Sequence, residues 1–346
     1  MSQQLEQLKG SHLVSLDEWS AEQILHLLRL AEWMRTHRDD ASQLAAGSVM
    51  ATLFYQPSTR TRLSFETAML RLGGHVAEYE GRSLDTDDLV FRETIHDLIR
   101  SLSQIDDIIV IRHPREGSAL VAARASDVPV INAGDGGHLH PTQTLADLAT
   151  LLRLKGGKLR NLTIGLCGNL AASRTAHSLV TTLCRLGHNL HFVLVSTRQN
   201  RMPDWVLARL DRTPGFSYEE VDSLRPVISS LDVLYMTSFY PTQVEPTGQA
   251  RQASNSTANG KRLSRDYRVT PELLRAAKPD LAILHPLPRG LEIDRAVDDD
   301  PRAAYFTQIS LGVDVRMALI ATLLGKLPQQ FDESVVFAEQ GSDVDE

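Results

Sequence analysis

Cysteine is nearly missing: Cys167 and Cys184 are the only two in 346 residues. So few argue against a disulfide framework and against a zinc site. They read as the reduced thiols of a cytoplasmic protein. A surplus of positive charge is missing too. The net charge is −7, so there is no broad basic footprint for nucleic acid. No uninterrupted apolar run approaches the roughly 18 residues of a membrane span. The first residues, Met1-Ser-Gln-Gln-Leu-Glu6, lack the basic and apolar regions of a signal peptide. Two nucleotide signatures, Gly-x-x-x-x-Gly-Lys and Gly-x-Gly-x-x-Gly, are absent as well. The glycine pair in Gly165-Leu-Cys-Gly168 is a weak substitute.

What remains is an ordinary globular composition, 42% hydrophobic and 23% charged, over a length that suggests about two domains. Ser20-Ala-Glu-Gln23 has the form of a capping box and opens a helix with apolar residues at Ile24, Leu27, Leu28, Ala31 and Met34. Short apolar runs then alternate with helical patterns. The strand-like runs are Ala51–Phe54, Ile108–Ile111, Val128–Asn132, Leu162–Cys167, His191–Val195, Val233–Met236 and Leu281–Leu284. Helices fit at Thr61–Leu72, Glu93–Ser103, Gly117–Ala125, Pro141–Leu154, Arg174–Leu186 and Pro271–Ala277, with a last helical segment over Arg302–Leu327. The alternation predicts α/β architecture with two parallel sheets, each covered on both faces and dividing near Leu151–Leu162. The helix Pro141–Leu154 and the following KGGKL make the expected hinge. Glu80–Val90 reads as an acidic loop and Thr247–Asp266 as a polar, mobile one.

Ligands of open parallel sheets bind at the carboxyl ends of the strands. The residues that follow those ends are Ser58-Thr59-Arg60-Thr61, then Arg112-His113-Pro114, then Gly134-Asp135-Gly136-Gly137 and His140-Pro141-Thr142-Gln143, then Gly168-Asn169. Arg174 follows at a helix start, then Thr237-Ser238, then His285-Pro286-Leu287-Pro288-Arg289. The first of these crowds hydroxyls and guanidiniums at the mouth of a helix. Free N–H groups and the helix dipole attract anions there, and Arg60 adds a fork that matches phosphate oxygens. The plainer alternative is a capped helix with solvated arginines. The other residues have plain readings as well: His140 as a loop or cap residue, Arg112 as an ion-pair partner, Arg174 as a surface residue.

Taken together, Ser58-Thr-Arg-Thr-Arg62, Arg112-His-Pro114, His140-Pro-Thr-Gln143 and His285-Pro-Leu-Pro-Arg289 resemble the aspartate/ornithine carbamoyltransferase family. The resemblance runs from about His12 to about Leu327. The stretches NAGDGGHLHPTQTLADL and DPRAAYF lean toward the aspartate branch. It implies two doubly wound parallel-sheet domains: residues 1–150 for carbamoyl phosphate and 151–300 for the amine acceptor. A C-terminal helix over 301–330 returns to the first domain, and a disordered tail follows over 337–346. It further implies a homotrimer, with further chains in some relatives, and a reaction that needs no cofactor and no metal. By the same resemblance Ser58, Thr59, Arg60 and Thr61 hold the phosphate. Thr61, Arg112 and His140 polarise the carbamoyl oxygen. Gln143 and the backbone of Pro286 and Leu287 hold the carbamoyl NH2, while Arg174, Ser238 and Leu287 face the acceptor.

Two departures stand out. The family's aspartate enzymes carry a lysine in the loop that matches Glu80–Glu93, and none occurs here; Val90 or Phe91 stands in its place. After Leu234-Tyr-Met-Thr237 those enzymes carry an arginine, with a glutamine two residues on, and here the segment reads Ser238-Phe239-Tyr240. A missing guanidinium removes one partner from an acceptor carboxylate. Arg82 or Arg92 in the loop, and Arg251, Lys261, Arg262 or Arg265 in the polar insertion, are candidates to restore the charge. The expected activity is carbamoyl transfer to aspartate. A different amine acceptor and a non-catalytic paralogue are the alternatives.

Overall fold

The computed structural model describes residues 3–79, 93–136, 139–239, 264–331 and 337. The acidic loop, the greater part of the polar insertion and the tail after Phe337 lie outside them. Phe337 itself, which the sequence reading places in a disordered tail, is buried.

By its internal contacts the chain forms two units, residues 1–149 with 309–338, and residues 150–308. The first holds a parallel sheet of β1 (Val49–Phe54), β2 (His75–Tyr79), β3 (Ile108–His113) and β4 (Val130–Asp135), in the order β2-β1-β3-β4. The second holds β5 (Thr163–Cys167), β6 (His191–Val195), β7 (Ser217–Val221), β8 (Val233–Met236) and β9 (Ala282–Leu284), all parallel, in the order β7-β6-β5-β8-β9. The inner strands are buried on both faces, which is why they read as unbroken apolar runs. Leu53, Ile109, Ile111 and Val130 belong to one core, and each fully buried side chain of this kind contributes about 1.5–3 kcal/mol.

Sequence periodicity does not reveal β2, β7 or the helix Asp204–Asp211. Both missed strands lie at sheet edges and neither has a buried residue, with sequences HVAEY and SYEEV. An edge strand needs no apolar run, so it leaves little signal. The capping box at Ser20 is present in full. The Ser20 hydroxyl accepts from Gln23 N at 3.1 Å, and the Gln23 side chain accepts from Ser20 N at 2.8 Å.

The last helix, Tyr305–Leu324, is long and apolar enough to cross a membrane by length and composition alone, but 78% of it is buried in the protein. It is a core helix. From Ile309 on it belongs to the first unit, as the expectation of a returning C-terminal helix required. Gly10 N donates to Leu323 O at 2.9 Å, the Arg316 guanidinium lies 5.0 Å over the Phe65 ring, and Arg38 pairs with Asp314.

Asp314 gives this helix a pH signature. Burial pushes its carboxyl up to about 6, and the facing guanidiniums of Arg38, Arg71 and Arg35 pull it back only in part. A carboxyl whose folded value is raised binds its proton more tightly in the native state. Its contribution is therefore present at low pH and is lost as pH rises through about 6. The swing is about 3 kcal/mol across the window from about pH 4 to about pH 7. Asp314→Asn should flatten the dependence of Tm on pH in that window. A variant that tracks the unmodified protein there would refute this assignment.

Candidate active site

In the first sheet the chain order changes direction at β1 and β3, because β2 lies on one side of β1 and β3 on the other. Such a switch point leaves a crevice at the strand ends. β1 leads into the helix Thr59–Arg71 and β3 ends on Arg112 and His113. The two ends are tied together, since Phe54 pairs with Arg112 and Tyr55 N donates to Arg112 O at 3.0 Å.

The mouth of this helix has no side-chain cap. Ser15, Ser20, Thr94, Ser173 and Thr270 each accept a hydrogen bond from a first-turn N–H of their own helices. Ser58 makes no such bond, and the first turn carries no acid. The positive end of the helix dipole and the Ser58 hydroxyl are thus left for an outside anion. Arg60 has no acidic partner among the described residues; desolvation alone lowers its pKa. Arg62, two positions on, is instead committed to Glu78 and lies 3.7 Å from Glu66. Two arginines of one motif have therefore been given different work.

Arg112 and His140 meet. Arg112 Nη1 donates to Ala133 O at 3.0 Å and lies 3.4 Å from His140 Nε2. Both groups face the turning carboxyl end of β4, and Gly134 makes that approach possible. Its φ is +119°, a region closed to side chains, and a Cβ there would stand 2.8 Å from Arg112 Nη1. The turn is held from beneath by two buried polar residues. Gly134 N donates to Asn132 Oδ1 at 2.8 Å, and the Asp135 carboxylate accepts from Gly117 N at 2.9 Å and Leu139 N at 3.3 Å. His113 is a support as well. Burial first, and then the Arg115 charge, push it down to about 4, so it stays neutral and accepts from Arg115 N at 3.0 Å.

His140 precedes the helix Pro141–Leu154, and its carbonyl receives Gln143 N at 3.0 Å. Gln143 Nε2 donates to Asp147 Oδ1 at 2.7 Å. With its amine end so engaged, the side chain offers its oxygen as an acceptor suited to an N–H group. Asp147 is fully buried, and its charge in turn favours the ionised form of the buried Arg316. The sequence reading placed Gly134 and Asp135 at a strand end without a role, and missed Asn132 and Asp147. Only Asp147 carried a local signal, at i+4 from Gln143 on one helix.

In the second sheet the switch point falls at β5 and β8. After β5 come Asn169 and the helix Arg174–Leu186. After β8 come Thr237 and Ser238, and Asn169 N donates to Ser238 O at 3.2 Å. Arg174 and Ser238 thus lie at neighbouring strand ends. Phe239 packs on Tyr267 with ring centroids 5.1 Å apart. Of the candidate replacement cations, only Arg265 lies within the described residues, where it opens the short turn Arg265–Tyr267. β9 leads into His285, which is buried and bonded to Glu292, so it is not a group open to substrate. Cys167 is buried, and burial first and the Glu292 charge second push its thiol well up; it is no nucleophile. Among the described residues no cluster of metal-ligating side chains occurs.

The comparisons with known proteins agree on one family. Residues 11–153 match the carbamoyl-P binding domain of aspartate/ornithine carbamoyltransferase, and residues 160–323 match its Asp/Orn binding domain. The aspartate carbamoyltransferase catalytic subunit of Bifidobacterium longum subsp. infantis is 51% identical over 316 residues, covering 91% of this chain and 94% of that protein. The catalytic subunit from Clostridium novyi is 44% identical and covers 92% and 99%. The crystal structure of aspartate transcarbamoylase from Trypanosoma cruzi, in complex with carbamoyl phosphate and aspartate, superposes with a TM-score of 0.80 at 33% identity, covering 92% of this chain and 98% of that one. With two family models spanning both halves and relatives at half identity over nearly the full length, this chain belongs to the aspartate/ornithine carbamoyltransferase family.

Proposed function

We propose that this protein transfers the carbamoyl group of carbamoyl phosphate to L-aspartate, giving N-carbamoyl-L-aspartate and phosphate as a step of pyrimidine biosynthesis. The observation that carries the reading is the meeting of Arg112 and His140 at 3.4 Å beside an uncapped helix mouth. The aspartate branch is supported by the relatives above, all named for that substrate.

The chemistry follows from the residues. Ser58, Thr59, Thr61 and Arg60 hold the phosphate through hydroxyls, helix N–H groups and one guanidinium. The neutral amine of the acceptor attacks the carbamoyl carbon; the C–N bond forms, and negative charge gathers on the carbonyl oxygen. Arg112, His140 and Thr61 receive that charge as donors fixed in advance. The Gln143 oxygen and the carbonyls of Pro286 and Leu287 take the carbamoyl N–H groups. The bond from the carbamoyl carbon to the bridging oxygen then breaks, and the departing phosphate, which keeps that oxygen, takes the amine proton. No covalent intermediate is required. Arg174 grips a carboxylate of the acceptor, with Ser238 and Leu287 beside it. Transfer demands that the two reactants be aligned.

Residues 1–150 then act as the carbamoyl-phosphate domain and 151–300 as the acceptor domain. A homotrimer in the cytoplasm is the assembly we favour, on family membership and on an interior thiol. Incubation with carbamoyl phosphate and, separately, aspartate, ornithine, putrescine and other amines tests the assignment, with ureido product and phosphate both read out. Aspartate is expected to give product by the widest margin. Preference for another amine would move the assignment to Ser238-Phe239 as a different acceptor pocket, and no product with any amine would leave a non-catalytic paralogue.

A further inference from the structure

The segment after β9 is held by a buried relay. His285 Nδ1 accepts from Leu287 N at 2.8 Å, so that nitrogen carries no proton. His285 Nε2 is therefore the protonated one, and it donates to Glu292 Oε1 at 2.9 Å. The same oxygen accepts from Gly290 N at 2.8 Å, and His285 N donates to Gln308 Oε1 at 3.1 Å. The side chains of His285 and Glu292 are 1% and 0% exposed. Glu292 Oε2 is buried with no hydrogen-bond partner. Burial pushes the Glu292 carboxyl up, but the bonds from His285 and the backbone bring it down overall, so the anion persists. Such a group is costly to keep unless it organises something.

What it organises is the peptide of Leu287. That residue sits at φ +51°, a strained value for a side chain. Its N–H is consumed inside the turn, so its carbonyl is the only hydrogen-bonding group its backbone has left to offer. Pro286 has no N–H at all. Among the described residues nothing donates to either carbonyl. We infer that Glu292 is a positioning residue. By fixing the His285 tautomer and the Gly290 amide it holds the carbonyls of Pro286 and Leu287 as paired acceptors for the carbamoyl NH2 and the incoming amine. The inference rests on the proposed function.

The test compares Glu292→Ala with Glu292→Gln, which keeps an oxygen acceptor for both N–H groups. Glu292→Ala should lower kcat by about a hundredfold, the cost of a misplaced reacting group. Its affinity for inorganic phosphate, held in the other unit, should not change. Glu292→Gln should recover most of the lost kcat. In the unmodified protein, nitrogen NMR of the His285 ring should show a protonated Nε2 and a bare Nδ1. If Glu292→Ala does not fold, the ring tautomer and the kcat of Glu292→Gln decide. A proton on Nδ1 in the unmodified protein overturns the inference, and so does Glu292→Ala at full kcat. So does parallel loss of phosphate affinity and turnover, which marks a merely structural role. A protein that transfers carbamoyl to no amine removes the proposed function, and this inference with it.

Discussion

Arg60→Ala is expected to lower kcat/KM by about a thousandfold, some 4 kcal/mol. The size follows from what Arg60 lacks. Three other arginines of the first unit are neutralised: Arg62 by Glu78, Arg38 by Asp314 and Arg35 by Glu32. Arg60 meets no carboxylate among the described residues and stands at a helix mouth whose cap hydroxyl is also uncommitted. Folding has no use for that arrangement, since like signs at a helix N-terminus repel. A doubly charged phosphate reverses the sign of the interaction. Stability should therefore hold or rise slightly in Arg60→Ala while turnover collapses. The companion variant Arg62→Ala should do the opposite: lose up to about 1 kcal/mol of stability and keep turnover within a few-fold. Steady-state kinetics and thermal melts on the pair check both halves. Equal activity loss in the two variants would mean that the motif works as an undivided patch of charge.

Gly134→Ala should cost about a hundredfold in kcat, although a single methyl group is added and no polar atom is removed. At φ +119° the backbone resists any side chain, which itself costs about 1–3 kcal/mol of stability. The new Cβ would stand 2.8 Å from Arg112 Nη1 and 3.5 Å from His140 Cδ2. Arg112 cannot yield without giving up its bond to Ala133 O and its approach to His140. Both proposed donors to the developing oxyanion would shift together. KM for carbamoyl phosphate should change less than kcat, because the phosphate cradle lies on another strand end. Unaltered kcat would show that the two groups do not act on the reacting carbonyl.

The inner strands and the site's strand-end residues were legible because burial and chemistry both write on local sequence. β1 and β3 are apolar runs, and Ser58–Arg62 concentrates donors in a few positions. β2 and β7 were not legible, since an exposed edge strand needs only extended backbone. The supports of the site were hidden for a different reason. Asn132, Asp135 and Glu292 act through bonds to the backbone of turns, at spacings that no helix or strand period generates. His285 illustrates the limit from the other side: a histidine at a strand end suggests chemistry, and burial with Glu292 makes it a strut instead. Gly134 could be counted in the sequence, but only φ and the approach of Arg112 tell why a glycine must stand there.

Direct transfer from carbamoyl phosphate to aspartate should occur despite the changed acceptor segment Ser238-Phe239. The most direct measurement supplies carbamoyl phosphate labelled at its carbonyl carbon with aspartate labelled at its amine, and follows the mixture by NMR. The expected result is a ureido carbon coupled to the labelled aspartate nitrogen, rising one for one with phosphate. Phosphate released without that coupled carbon, or no change beyond the spontaneous decay of carbamoyl phosphate, would contradict it.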